Sequence, residues 1–228
     1  MVSQGVGSRL VRQVLTDHVH DKLLELLMDG RYEPNDALSI DGIARELDVS
    51  ATPVREALAR LEVTGLVNRV ALRGYRVAPL LTTAELAELM DARLVIEPVN
   101  ATHACERVTP ELIEALDRSI TDLRTAPRGP EFAEFRDYWQ ADMRFHELIA
   151  EGAGNRFLLM AYNCLGGSVQ RFRLFTGLGV TDAENTIDEH TAILTAFRDH
   201  SPEKARQAMV NHLHGVKNRG LKDVEDHG

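Results

Sequence analysis

From Val11 to Leu27, apolar residues recur at three- and four-residue intervals: Val11, Val14, Leu15, Val19, Leu23, Leu24, Leu26 and Leu27. That is the period of a helix, and it stops at Asp29-Gly30. The pattern predicts a first helix from about Arg9 to Asp29, with the small and polar Met1–Gly7 outside it. Arg31–Asp36 reads as a turn. A short amphipathic stretch, Ser39–Leu47, is then joined by only Asp48 and Val49 to a second stretch opening at Ser50. There Val54, Ala57, Leu58 and Leu61 form one apolar stripe, while Thr52, Arg55, Ala59 and Glu62 face elsewhere. Ser50 is placed to accept hydrogen bonds from the first free amides, and Pro53 suits a first turn. Two short helices with a tight turn make a helix-turn-helix, the second being the reading helix. Beyond Gly65 the period falls to two. Leu66–Val70 reads as a strand, Ala71–Gly74 as a turn and Tyr75–Ala78 as the return strand, which together make a wing.

Pro79–Thr83 reads as a linker, with Thr82 or Thr83 capping the next helix. From there the pattern is helical throughout, with helices expected over 83–106, 109–125, 130–152, 154–176, 181–199 and 202–222. Thr109-Pro110, Pro127–Pro130, Gly152–Gly154, Gly177–Gly179 and Ser201-Pro202 divide them, and Pro98 is expected to kink the first. The predicted fold is mainly α: an N-terminal winged helix-turn-helix over residues 1–79, then an antiparallel bundle of six or seven helices over 80–228.

Charge sharpens this division. The 228-residue chain carries a net charge of −9, which by itself argues against a nucleic-acid partner. The acidic surplus lies in the second part, however: 10 Lys and Arg face 11 Asp and Glu up to residue 80, against 16 and 24 beyond it. Arg55, Arg60, Arg69, Arg73 and Arg76 meet only Glu56 and Glu62 between residues 55 and 76, so the expected reading surface is locally basic. Cys105 and Cys164 are far apart, without a CxxC pair, as in a reducing cytosol. No apolar run approaches the roughly 18 residues of a membrane span, and no signal-peptide core is present, so a cytoplasmic location is expected.

VSATPVREALARLEVTGLV followed by RGYRV resembles the DNA-binding half of the GntR family of bacterial transcription regulators. The resemblance implies a double-stranded DNA operator and makes Ser50, Thr52, Arg55, Arg73 and Gly74 the contact positions. An arginine at the wing tip suits the minor groove, and Gly74 lets the backbone approach a phosphate. The family often has arginines at Ala51 and near Asp41, so a different operator or weaker binding is expected here. It usually has Pro-Gly where this chain has Pro34-Asn35, and Asn also tolerates the left-handed conformation.

Four residues of the second part suggest a metal. Asp142 and His146 are one helical turn apart; His190 lies in EHTAIL and His212 in MVNHLHGV. Three imidazoles and a carboxylate suit a divalent transition metal (Zn, Ni or Mn), although each histidine taken singly reads as a surface or core residue. ADMRFHELIAEGAGN, EHTAIL and the terminal HL resemble the FCD ligand-binding domain of the FadR-type GntR branch. The resemblance implies metal binding by Asp142, His146, His190 and His212, the last preferred over His214. It also implies a homodimer, a small carboxylic acid effector and repression relieved by that effector. By the same resemblance Arg93, in DARLVIEP, would reach the effector carboxylate, a role its forked guanidinium suits. A pair with Glu97 on a solvated face is the other reading of Arg93. Arg171 and Arg173 are further candidates for the cavity, whereas Tyr138, Trp139 and Phe145 read as core packing. The alternative function is a metal-dependent hydrolase or lyase of small carboxylates. Against it, no HExxH, Gly-x-Ser-x-Gly or phosphate-binding glycine loop occurs.

Overall fold

A computed structural model describes residues 4–129, 131–173, 180 and 182–227, except for the side chains of 4–12, 167–173 and 223–227. These residues form two compact units, one from the chain up to Leu80 and one from Leu81 onward apart from the segment 167–175.

The first unit comprises α1 (Gln4–Met28), β1 (Ala37–Leu38), α2 (Ile40–Glu46), α3 (Ala51–Val63), β2 (Val67–Val70) and β3 (Gly74–Val77). α1 begins well ahead of Arg9 because helical hydrogen bonding runs on past the last apolar position, and periodicity marks only the packed face. Val54, Ala57, Leu58 and Leu61 of α3 are all fully buried and pack on α1, as the stripe requires. Val54, Leu58 and Leu61 each contribute roughly 1.5–3 kcal/mol by leaving water, and the Ala57 methyl contributes less. Polar links tie the same two helices: Thr16 Oγ1 donates to Glu56 Oε2 at 2.9 Å, and Arg60 Nη1 lies 2.5 Å from Asp17 Oδ1.

Ser39 caps α2 by accepting from the Gly42 amide at 3.1 Å. Asp48, at φ 52°, turns the chain sharply towards α3. Ser50 departs from expectation. It occupies the N-cap position in extended backbone, but its side chain makes no cap hydrogen bond. Its hydroxyl makes no hydrogen bond to the first amides of α3, which therefore lack a side-chain cap.

β2 and β3 form the expected antiparallel hairpin, with Val70 opposite Gly74. A third strand, β1, pairs with β3 through Ala37 opposite Arg76 and Leu38 opposite Tyr75, giving the order β1-β3-β2. Two residues are too few to show a period, so only the fold makes this strand visible. Asn35 takes φ 72°, the left-handed turn foreseen for Pro34-Asn35.

The second unit contains α4 (Thr83–Glu106), α5 (Pro110–Thr125), α6 (Phe132–Gly152), α7 (Arg156–Arg173), α8 (Ala183–Arg198) and α9 (Pro202–His227). Thr82 and Glu85 form a capping box at the start of α4, while Thr109 caps α5 with Pro110 in its first turn. Pro98 is buried inside α4, where its ring removes the amide that would serve the Leu94 carbonyl. α4 packs on α9 and α6, α5 on α6 and α8, and α8 on α9. Fully buried Phe145, Phe197, Leu116 and Leu213 fill the space between these helices. Among the described residues, no helix is long and apolar enough to cross a membrane.

Candidate functional site

Ser50, Thr52, Arg55, Arg73 and Gly74 are all exposed. The five arginines of this region divide by partner. Arg60 is engaged by Asp17, and Arg76 donates to the Asn35 carbonyl at 2.7 Å. Arg55, Arg69 and Arg73 are exposed with no intramolecular partner among the described residues. The wing tip is conformationally special. Gly74 sits at φ 79° and Leu72, fully exposed, at φ 62°. A Cβ at Gly74 would meet nothing within 4 Å, so it is the backbone angle that favours glycine there.

In the second unit, α6 presents Asp142 and His146 one turn apart, α8 presents His190 and α9 presents His212. All four are at least nine-tenths buried. One ligand nitrogen from each histidine lies within 4.8 Å of the others, and His190 Nε2 is 3.6 Å from Asp142 Oδ1. His212 rather than His214 joins the cluster, since His214 is exposed. Phe145 stacks on His190 at 4.0 Å with planes 9° apart and holds that ring from one side.

Carboxylates that the sequence reading had not assigned to the site support the imidazoles from behind. Glu97 Oε2 lies 2.7 Å from His146 Nδ1, and Glu189 Oε2 lies 2.8 Å from His212 Nδ1. The Glu189 hydrogen bond at Nδ1 fixes the His212 ring and leaves its Nε2 open, the usual arrangement behind a metal-binding histidine, whereas Glu97 meets His146 Nδ1 as an ion-pair contact without hydrogen-bond geometry. Arg219 grips Glu189 through two bonds of 2.8 and 2.9 Å and Asp182 through a third of 2.8 Å. The signals were present, Glu189 directly before His190 and Glu97 one turn after Arg93, but pattern alone cannot tell a buried acid from a solvated one.

Arg93 does pair with Glu97, through Nε–Oε1 at 2.5 Å and Nη2–Oε2 at 3.3 Å. The expected solvated face is a buried one, however, with Arg93 5% and Glu97 3% exposed. The reason is that α4 is covered by both α6 and α9, which a single helical wheel cannot reveal. Burial alone would raise the Glu97 pKa; Arg93 and His146 outweigh it and hold the carboxyl well below the usual range. Burial, outweighing the pull of Glu189, lowers the His212 pKa and favours the neutral imidazole. Tyr162 of α7 also belongs to this neighbourhood. Burial, with the Glu97 and Asp142 charges, raises its phenol pKa. The side chains of Arg171 and Arg173 lie outside the described residues. Tyr138, Trp139 and Phe145 are buried, as core packing requires.

Three imidazole nitrogens, one of them kept neutral by burial, beside a buried carboxylate form a donor set that suits a divalent transition metal. Residues 15–77 match the gntR family of bacterial regulatory proteins, and residues 88–215 match the FCD domain. The chain belongs to the GntR family.

The FCD match runs from α4 to α9 and includes all four candidate ligands. Among curated relatives, the chain is 25% identical over 227 residues to the HTH-type transcriptional regulator YcbG of Bacillus subtilis (strain 168), covering 94% of each chain. It is 27% identical over 197 residues to the HTH-type transcriptional repressor GlaR of Escherichia coli (strain K12), covering 82% of this chain and 87% of that one. In fold it is similar to the solved structure of E. coli McbR/YncC, with a TM-score of 0.72, 20% identity and 91% and 97% of the two chains covered. This GntR-family chain is accordingly a transcription regulator, and the hydrolase or lyase alternative falls with that assignment.

Proposed function

We propose that the chain is a dimeric, ligand-responsive repressor. Residues 1–79 bind a near-palindromic operator, and residues 80–228 sense a small carboxylic acid at a metal site, both acting in the cytoplasm. On this reading Asp142, His146, His190 and His212 hold a Zn, Ni or Mn ion. The metal supplies an electrophilic centre for the effector carboxylate. Ser50, Thr52 and Arg55 at the start of α3, with Arg73 and Gly74 on the wing, contact DNA. Two copies present two reading helices to successive major grooves of half-sites about one turn apart. The observation that carries the sensing half is the convergence of three buried histidines from α6, α8 and α9, two of them backed by carboxylates at Nδ1. Arg93, locked to Glu97, shapes the cavity wall, and pairs with the effector only by sharing its guanidinium with that carboxylate. The switch requires the effector to favour one arrangement of the dimer by a few kcal/mol.

The test combines elemental analysis of protein purified without an affinity tag with anisotropy of a labelled fragment from beside the gene. Bound metal near one equivalent, with operator release by a small carboxylate, is the expected result. Metal-free native protein that binds operator and ignores every carboxylate would overturn the reading.

A further inference from the structure

Leu72 is the most exposed large apolar side chain among the described residues, and its backbone sits in the left-handed region at φ 62°. Local structure accounts for the angle but not for the residue. Val70 and Gly74 form the last rung of the β2–β3 hairpin, and the Arg73 amide donates to the Val70 carbonyl at 3.0 Å. Ala71 and Leu72 are therefore the two central residues of the turn. With a positive φ at its second central residue, such a turn is normally completed there by glycine or asparagine. A leucine in that position strains the backbone, because its Cβ crowds the following carbonyl oxygen. Its side chain recovers nothing from burial in return. The chain thus holds a bare apolar group at the apex of the wing against both the turn preference and the hydrophobic effect.

The surroundings of Leu72 select its partner. Residues 66–80 contain Arg69, Arg73 and Arg76 and no Asp or Glu. An apolar protein surface closing over Leu72 would strip water from the unpartnered Arg69 and Arg73 without compensation. A duplex offers phosphates to both cations and, between the strands, the apolar faces of stacked bases. Leucine has no donor or acceptor, so it cannot read base edges, and it gains only by leaving water. We propose that Leu72 is an apolar wedge that enters a base step from the minor groove, parts the two base pairs and bends the operator towards the major groove. The cost of parting them is lowest at flexible TA and CA/TG steps, so Leu72 selects sequence at a position where no hydrogen bond does. This rests on the reading that the wing meets DNA, and adds to it how the wing tip chooses its site.

The test uses the full chain and a duplex that the parent protein selects from random sequence. Bending is read by circular-permutation mobility and affinity by anisotropy over a range of salt. The parent complex should be bent by roughly 20–90°, with a TA or CA/TG step under each wing. Leu72→Asn, similar in size and suited to the left-handed angle, should lose most of that bend and bind about tenfold more weakly, as expected for one leucine side chain left in water. Its melting temperature should not fall, and its salt slope should match the parent's because no phosphate contact is lost, whereas Arg73→Ala should lower the slope. Leu72→Met, which keeps an apolar wedge, should retain both bend and affinity. A straight parent complex, or parental bending and affinity in Leu72→Asn, overturns the wedge and leaves the wing contact standing. A change in oligomeric state in place of a change in DNA shape assigns Leu72 to a protein contact and overturns the wedge as well. Parental affinity and slope in Arg73→Ala, or failure to select any duplex, overturns the wing reading and the wedge with it.

Discussion

Removing Arg93 alone should be far more damaging than removing Arg93 and Glu97 together. The pair is almost wholly buried, at 5% and 3% exposure, and its closest contact is 2.5 Å. In Arg93→Met, Glu97 remains in the interior with only His146 beside it, and burial, which pushes its pKa up, is opposed by His146 alone. Breaking a buried ion pair on one side costs about 3–5 kcal/mol, whereas replacing both members by apolar residues is neutral or stabilising. At about 2–4 °C per kcal/mol for a chain of this size, the single variant should melt roughly 6–20 °C lower. Arg93→Met with Glu97→Leu should return to the parent value or rise above it. Trp139 is the sole tryptophan and sits buried in the second unit, so its fluorescence reports melting of that unit. The measurement belongs in chelator-treated protein, because bound metal would add its own stabilisation. The double variant should still bind zinc about 10–100-fold more weakly, since His146 has lost the carboxylate at its Nδ1. A single variant within about 1 kcal/mol of the parent, or a double variant costing the sum of the two singles, would refute the buried-pair argument.

Other consequences follow from the same geometry. Arg55→Ala should weaken operator binding by about 1–3 kcal/mol at unchanged melting temperature, because Arg55 is exposed and unpartnered; intact anisotropy titrations would remove α3 from the interface. His146→Ala and His190→Ala should each strip the metal, as read by elemental analysis, and full occupancy in both would eliminate the site. Leu61→Ala, at a fully buried position of the α1–α3 contact, should cost the first unit about 2–5 kcal/mol in urea unfolding followed by circular dichroism. A loss under 1 kcal/mol would mean that this contact is not the core of that unit.

Periodicity alone determined most of the secondary structure. The stripe of Val54, Ala57, Leu58 and Leu61 sets the face of α3, and Thr82 and Thr109 mark helix starts, because these are local effects decided within a turn or two. Asp142 and His146 were legible as neighbours for the same reason. That His190 and His212 join them was available only by resemblance, since convergence of three helices is not a local property. Tertiary structure alone decided the rest: β1, which exists only because β3 lies beside it; the unengaged Ser50 hydroxyl; and the burial of Arg93 and Glu97 beneath α6 and α9. A sequence records which groups a chain carries, but the solvation of a charge depends on what covers it, and here that is set by helices far along the chain, α6 and α9.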